Sequence, residues 1–503
     1  MKKLFCLMLT LALLCCAYGM GEENTVKTFT MSGYDGETTY TRSWDTCKFF
    51  ERMTDLTGVS FTFSQYSEAS AWTARKASMT SDDATLTDVL FKADLSRQEM
   101  NDLYEKGVLI DLTPYLEECC PNLWALLQEN PQYLEEITLQ NGAIVALPYI
   151  AKAPIQNCLW INTTWLSNVK KEMPTDIESL TDVLRAFRDK DPNQNGKSDE
   201  IPLAFLGAFD LKFLAHGFGL YCNDYNIYAQ DGQVYFMPLQ DNFRPFIEWC
   251  RACYEEGLFD IDGFGTTDTL RTVTDSDATK TYGSIITTAL TNLFPSDWVS
   301  EYQVVLPLVY EGKQVYRAFY RQCYGGTFAV TCACQDVESV LSWVDALYGM
   351  EGAKIASVGL QNVDYVVDGD GTWRVTDSAQ NDTYFTTDSL ISTGNPYPGI
   401  SPDEFELSYS ETAIAQISAQ MIELNQIASS PFPQYTLTQE QKDYITPLQN
   451  QIGRYVDEQI ARFVLGETEI NDQTFAEFEQ ELYRLGLADF MTFWQNILDN
   501  LNQ

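Results

Sequence analysis

Strand-like and helix-like periodicities take turns along the start of this chain, and that alternation limits its fold more than any other feature. The run from Val26 to Met31 is strand-like and ends in the loop Ser32-Gly33-Tyr34-Asp35-Gly36. A helical pattern follows from Thr46 to Leu56, then strict alternation over Val59-Ser60-Phe61-Thr62-Phe63. Strand, helix, strand predicts an α/β domain with a parallel sheet. A further unit runs through Leu86 to Leu90 and a helix at Gln98 to Glu105. Asn141-Gly142 makes a tight turn before Ala143 to Tyr149.

A second α/β segment begins near Leu159, with a helix at Phe243 to Glu256 and strands at Ser284 to Ala289 and Tyr302 to Leu306. Gly325 to Thr331 is another strand, and the next helix carries Val337, Val340, Leu341, Val344 and Leu347 on one face. Asp368-Gly369-Asp370-Gly371 predicts a hairpin turn, and the chain is mostly helical from Ser410 onward. With 503 residues there is room for two or three domains with ample core.

The stretch D-P-N-Q-N-G-K-S-D-E from Asp191 to Glu200 places oxygen-bearing side chains at Asp191, Asn193 and Asn195. Gly196 permits a sharp turn, and Asp199 and Glu200 follow. A hard cation such as Ca²⁺ takes six to eight oxygens, which this loop can supply. It is not an EF-hand in register, because position 12 counted from Asp191 is Pro202. The competing reading is a solvated acidic turn, since Asp, Asn and Gly favour turns in any case. Upstream, Thr175 and Glu178 form a capping box, with Leu180, Val183, Leu184 and Phe187 at helical spacing. The loop therefore closes the C-terminal end of an amphipathic helix, a structural and not a catalytic place.

Met1-Lys2-Lys3 and the apolar run from Leu4 to Cys16 form a secretory leader over residues 1–19, with Ala17-Tyr18-Gly19 offering small residues for cleavage. A lipid anchor on Cys15 or Cys16 is the alternative, although Leu13-Leu14 lacks the small residue that lipidation favours. No later apolar run reaches the roughly 20 residues needed to span a bilayer. The formal net charge of −39 repels nucleic acid and anionic lipid. Hydrophobic content of 45% excludes general disorder, so the acid coats a folded surface. Of the thirteen cysteines, Cys6, Cys15 and Cys16 lie in the leader. Cys250 and Cys253 fall on the apolar side of a helix, and Cys332 and Cys334 on one face of a strand. Structural thiols, with room for one or two disulfides, are expected.

Several segments, taken in order, resemble the extracellular solute-binding proteins of ABC importers, in the carbohydrate branch that includes alginate-oligosaccharide and LipO-like binding proteins. They are G-V-L-I-D-L-T-P-Y-L from Gly107, N-G-A-I-V-A-L-P-Y from Asn141, W-I-N-T-T-W-L from Trp160 and the loop from Asp191. Y-E-E-G-L-F from Tyr254 and R-F-V-L-G-E-T-E-I-N from Arg462 complete the set. The resemblance implies a type II periplasmic-binding-protein-like α/β fold. Lobe 1 would comprise residues 26–150 and 325–395, and lobe 2 residues 151–324 and 396–503. It also implies ligand capture in the cleft, a permease partner, a monomer, an exported location and no catalysis. Structural Ca²⁺ is implied at Asp191, Asn193, Asn195, Lys197 (through its backbone carbonyl), Asp199 and Glu200. The family's Ser/Gly-rich tether after an anchor cysteine is missing here, so membrane contact rests on the lipid-anchor alternative alone.

Sugars present apolar C–H faces edged with hydroxyls, so their sites combine flat aromatics with carboxylates and amides. Aromatics in loops after strands or at crossovers are the candidates. They are Tyr34 with its neighbour Asp35, Tyr149 at the first crossover, Trp298 in Pro295-Ser296-Asp297-Trp298, and Tyr397 in Gly394-Asn395-Pro396-Tyr397. Trp160 belongs to a strand core. A secreted carbohydrate-active enzyme is the competing class, and a sensor of the same fold is another. Neither G-x-S-x-G nor H-E-x-x-H occurs, and the single histidine, His216, sits in an apolar setting that suits a structural role.

Overall fold

The computed structural model describes residues 26–36, 42–81, 85–265, 281–288, 290, 293–294, 296–318, 321–409, 412–433, 435 and 437–501. The leader through Gly19 lies outside them. The strands that organise the two units are, in chain order, β1 (Lys27–Tyr34), β2 (Val59–Tyr66), β3 (Val89–Phe91), β4 (Leu147–Ile150) and β5 (Cys158–Asn162). They continue with β6 (Ser284–Thr287), β7 (Tyr302–Val304), β8 (Cys323–Val330) and β9 (Gly399–Ile400). One unit comprises Met1–Tyr149, Tyr324–Val366 and Val375–Ser401. The other comprises Ile150–Cys323, Val367–Arg374 and Pro402–Gln503.

The first unit is built on a six-stranded sheet in the order β9-β4-β8-β3-β1-β2. β1 runs parallel to both β2 and β3, as the opening strand–helix–strand pattern predicts. β8 is antiparallel to β3, with Ala329 opposite Leu90. An antiparallel neighbour needs no helical crossover, so a segment that arrives late in sequence can slot in beside β3. The three residues of β3 are all fully buried, as expected for a central strand covered on both faces. On one face Phe91 packs edge-on against Trp44, with ring centroids 5.5 Å apart, and against Trp343 at 5.8 Å. On the other, Leu90 joins Trp72, Met100, Leu103 and Val145.

In the second unit β5 is central in the order β6-β5-β7, and both neighbours are antiparallel to it. The parallel element is supplied by Ile201 and Ala204, which bridge to Tyr282 and Ile285. Trp160 is 1% exposed on β5, in the core. The helix Ile177–Asp189 buries Leu180, Val183, Leu184 and Phe187, the four residues its spacing picks out. Its capping box is displaced by one residue from the sequence expectation. Asp176 Oδ1 accepts from the Ser179 amide at 2.8 Å, and Ser179 Oγ accepts from the Asp176 amide at 3.1 Å. Asp is the stronger N-cap acceptor, so it displaces Thr175 and Glu178 from that role. Helices Gln439–Leu465, Asp472–Arg484 and Leu487–Leu501 add Phe463, Phe478, Leu482 and Trp494 to the same core.

The ten cysteines beyond the leader all remain thiols, with none of the one or two disulfides for which the sequence leaves room. Cys250 and Cys253 are buried on the helix Phe243–Glu255, and burial pushes both thiols up. Cys332 and Cys334 do not share a strand face. β8 stops at Val330, and a turn closed by the Cys334 amide on the Thr331 carbonyl (3.2 Å) leaves one exposed and the other buried. Among the described residues no helix is long and apolar enough to cross a membrane.

Candidate functional site

Four of the five predicted ligand residues lie in the first unit and meet around one loop. Tyr34 ends β1, and Asp35 follows it, 1% exposed. The Asp35 backbone carbonyl accepts the Asn395 amide at 3.0 Å, while the Asn395 carboxamide donates to the Tyr34 carbonyl at 3.2 Å. Two residues further on, Tyr397 sets its ring 5.1 Å from that of Tyr149, at the end of β4. Tyr324, at the start of β8, lies 6.5 Å from Tyr149. The Tyr397 hydroxyl donates to the Ile400 carbonyl at 3.1 Å, which ties the ring to β9. Asp35 and Tyr397 are buried and hold the loop in place, whereas Tyr149 and Tyr324 are half-buried and are the rings this group can offer to a sugar.

The loop lies this close to β1 because residue 394 is glycine. Gly394 has φ +75°, and a Cβ there would stand 1.7 Å from the Asp35 carbonyl oxygen. Beneath the loop is a group that sequence reasoning missed. Lys92, directly after β3 and fully buried, pairs with Asp35 Oδ1 and donates to the Thr393 carbonyl. Trp44 Nε1 donates to the other carboxylate oxygen at 3.1 Å. Burial pulls the Lys92 ammonium below the usual lysine range, against the pull of Asp35. The one available signal was a lysine following the apolar run Val89-Leu90-Phe91, and its partner is 57 positions away.

Trp298 lies in the second unit, on the short helix Ser296–Val299, and is 8% exposed. It packs 6.0 Å from Phe294 as part of that unit's core. The structure therefore does not group it with the other four.

The loop from Asp191 to Glu200 joins the helix Ile177–Asp189 to the Ile201–Ala204 edge of the second unit's sheet. Asp191 takes the amides of Asn195 (3.1 Å) and Gly196 (3.0 Å), and Asn193 Oδ1 takes the Asn195 amide at 3.1 Å. Asp199 collects the carboxamide N–H groups of Asn193 (3.2 Å) and Asn195 (3.0 Å), which hold it below the usual carboxylate range. Glu200 is pushed the other way, by burial and then by Asp199 and Asp191, and its Oε1 is buried without a protein partner. Lys197 donates its amide to Asn195 Oδ1 at 2.8 Å, leaving its carbonyl as an acceptor. Among the described residues no three His, Cys, Asp or Glu side chains converge as a metal cluster on their own. The set here mixes carboxylates with amide and backbone oxygens, as hard cations accept.

His216 is 5% exposed. Its Nδ1 lies 2.5 Å from the Phe213 carbonyl, whereas Nε2 has no protein partner. Burial pulls it down to about 4, so it stays neutral near pH 7.

The fold is that of the type II periplasmic-binding proteins. No protein-family model matches the chain. Over 226 residues it is 31% identical to the fructooligosaccharide ABC transporter substrate-binding protein FusA of Streptococcus pneumoniae serotype 4, covering 42% of this chain and 41% of that protein. Over 93 residues it is 32% identical to lipoprotein LipO of Bacillus subtilis, covering 18% of this chain and 17% of that protein. The aligned stretches thus span less than half the length of either curated relative. The fold likeness reaches further. S. pneumoniae FusA in complex with kestose covers 95% of this chain and 99% of its own, with a TM-score of 0.61 at 23% identity. An HMO binding ABC-transporter associated solute binding protein of Bifidobacterium longum infantis covers 94% and 98%, with a TM-score of 0.68 at 19% identity.

Proposed function

We propose that this chain is an exported solute-binding protein that captures a carbohydrate, an oligosaccharide, and delivers it to an ABC transporter permease without chemical change. The observation that carries the reading is the aromatic cluster of Tyr149, Tyr324 and Tyr397, which the loop from Gly394 completes by donating its Asn395 amide to the Asp35 backbone carbonyl. Stacking rings and a fixed polar edge in one place suit a ligand with apolar faces and hydroxyl rims. The fold shared with FusA, a fructooligosaccharide transporter component, supports the same class. Tyr34, Asp35, Tyr149, Trp298 and Tyr397 are the proposed ligand residues. The two lobes are proposed to follow residues 26–150 and 325–395, and residues 151–324 and 396–503, save that the segment with Tyr397 and β9, through Ser401, goes with the first and Val367–Arg374 with the second.

Calcium is proposed for the loop at Asp191, Asn193, Asn195, Lys197, Asp199 and Glu200. The partnerless Glu200 oxygen fits a bound cation, which would neutralise the mutual repulsion of Glu200, Asp199 and Asp191. Such an ion would brace the junction of helix and sheet. A lipid anchor at Cys15 or Cys16 and a monomeric state complete the proposal.

The test is a thermal-shift screen of the exported form with Ca²⁺ against oligosaccharides, peptides and amino acids. A ligand at ~100 times its Kd adds about 2.7 kcal/mol to stability. An oligosaccharide that stabilises the protein and is recovered intact supports the reading. Recovery of cleaved sugar, or stabilisation by peptides alone, overturns it.

A further inference from the structure

A hairpin of the second unit carries a cluster of tyrosines to which no role has been given. Its strands, Ile227–Gln230 and Gln233–Phe236, pair antiparallel, with Tyr228 opposite Tyr235 and Gln230 opposite Gln233. Side chains alternate across a strand, so Ile227, Val234 and Phe236 enter the core while Tyr228, Gln230, Gln233 and Tyr235 share the other face. Tyr228 and Tyr235 stack with ring centroids 5.1 Å apart. Tyr221, a few residues upstream, sets its ring 5.6 Å from that of Tyr228. All three rings are half-buried, and Gln230 and Gln233 are exposed.

The rest of the unit holds this group in place. The Ala229 amide donates to the Pro431 carbonyl at 2.7 Å. Gln495 accepts the Val234 amide at 2.9 Å and donates to the Gly232 carbonyl at 3.0 Å. Tyr221 precedes a turn in which the Asn223 amide donates to the Ile227 carbonyl at 2.9 Å. Rings fixed before a ligand arrives lower the ordering cost of binding. The Tyr228 hydroxyl donates to Gln240 Oε1 at 3.3 Å. Gln240 in turn lines a hollow of about 340 Å³ with Asp241, Arg244, Asp472, Phe475 and Glu479. Small-molecule sites begin at about 300 Å³, so the tyrosines run into a concavity of ligand size.

We infer that Tyr221, Tyr228 and Tyr235, with the hollow beside Gln240, form a glycan-binding surface on the second unit, separate from the capture site and suited to an uncharged polysaccharide. Tyrosine rings meet the C–H faces of sugars, and phenol hydroxyls and glutamine carboxamides donate to and accept from sugar hydroxyls. The eight strand residues carry no charge, in a chain with 71 acidic side chains. No cation on the strands draws a uronate, and the net charge of −39 repels one. In the hollow, Arg244 is already paired with Asp472 at 2.6 Å and Glu248 at 2.9 Å. A cross-strand tyrosine pair alone would serve only to stabilise the hairpin. Tyr221, which lies outside the strand ladder, and the hollow beyond Gln240 are parts that such a pair does not need. Three rings and a hollow take several sugar units in a row, as a polymer presents them.

The experiment is affinity electrophoresis of the parent, Tyr221→Ala and Tyr235→Ala in gels containing inulin, starch, dextran or galactomannan. Polygalacturonate is the charged control, and unfolding curves show that each variant folds. The parent is expected to be slowed by at least one neutral polymer and not by polygalacturonate. Each variant should bind that polymer about tenfold more weakly, by analogy with the loss of one stacking ring elsewhere. Its thermal shift with a captured oligosaccharide should equal the parent's. If no neutral polymer slows the parent, or if either folded variant is slowed as much as the parent, the surface is overturned and the capture reading is untouched. Loss of the oligosaccharide thermal shift in Tyr235→Ala would place the tyrosines in the capture site and overturn a separate surface. A parent slowed by polymer but unshifted by every oligosaccharide would overturn the capture reading and leave the surface standing.

Discussion

Lys92 and Asp35 form an ion pair that solvent does not reach: their side chains are 0% and 1% exposed. Two ions taken out of water carry a desolvation cost that only their mutual attraction and full hydrogen bonding offset. Here the partners are complete on the carboxylate, through Lys92 and Trp44, and the ammonium also reaches the Thr393 carbonyl. Lys92→Met leaves the carboxylate buried without its cation, and should lower unfolding free energy by about 3–5 kcal/mol. Lys92→Met with Asp35→Leu should recover most of that loss. Urea unfolding of the two variants checks both statements, and equal stability of parent and single variant would show the pair to be idle.

Calcium should act on the loop at 191–200 in a way that heat reports. Adding Ca²⁺ to metal-stripped protein is expected to raise Tm, and chelation to reverse the rise. Asp191→Ala and Glu200→Gln should each lose that response. Equal Ca²⁺ shifts in the parent and both variants would remove the metal from the loop.

The proposed ligand residues separate by what else they hold. Tyr149→Ala, at a half-buried ring, should weaken oligosaccharide binding by about 1–3 kcal/mol, by analogy with aromatic stacking elsewhere. Trp298→Ala, at a core position against Phe294, should cost about 3–5 kcal/mol of stability in addition to any loss of affinity. Unchanged affinity in a folded Trp298→Ala protein removes Trp298 from the site.

His216 gives stability an acid-sensitive component with a defined sign. Its pKa falls from 6.5 to about 4 on folding, so the unfolded chain binds a proton that the folded one refuses. The contribution is fully present above pH 6.5 and is lost as pH falls toward 4. Over that window the parent should lose about 3 kcal/mol more than His216→Gln. Parallel stability–pH curves for the two proteins would show that the imidazole does not sense folding.

Local periodicity made the elements legible. Val59 to Phe63 alternates because it is a strand, and Leu180, Val183, Leu184 and Phe187 are spaced to bury one helical face. Cap chemistry was harder, since Thr175 and Asp176 are both N-cap residues and only the Ser179 geometry separates them. Candidate site residues were legible where a loop signal, such as Gly394-Asn395-Pro396, sits beside an aromatic. Contacts far apart in sequence left no such mark. The Lys92 partner lies beyond two strands and two helices, and the Arg317–Asp224 pair joins residues 93 positions apart. No window of sequence holds both members of either pair.

β8 carries one more consequence, for how the chain is made. It lies inside the first unit's sheet, flanked by β3 and β4, yet begins at residue 323, more than 170 residues after β4 ends. A ribosome or translocase that delivers the chain from its N-terminus releases β1 through β4 long before their central partner exists. Until then β3 and β4 each expose an unpaired edge, the kind of surface on which partially made chains stick to one another. Biogenesis should therefore depend on a holding chaperone during export, and a chain truncated before Cys323 should be recovered as aggregate and not as a smaller folded domain.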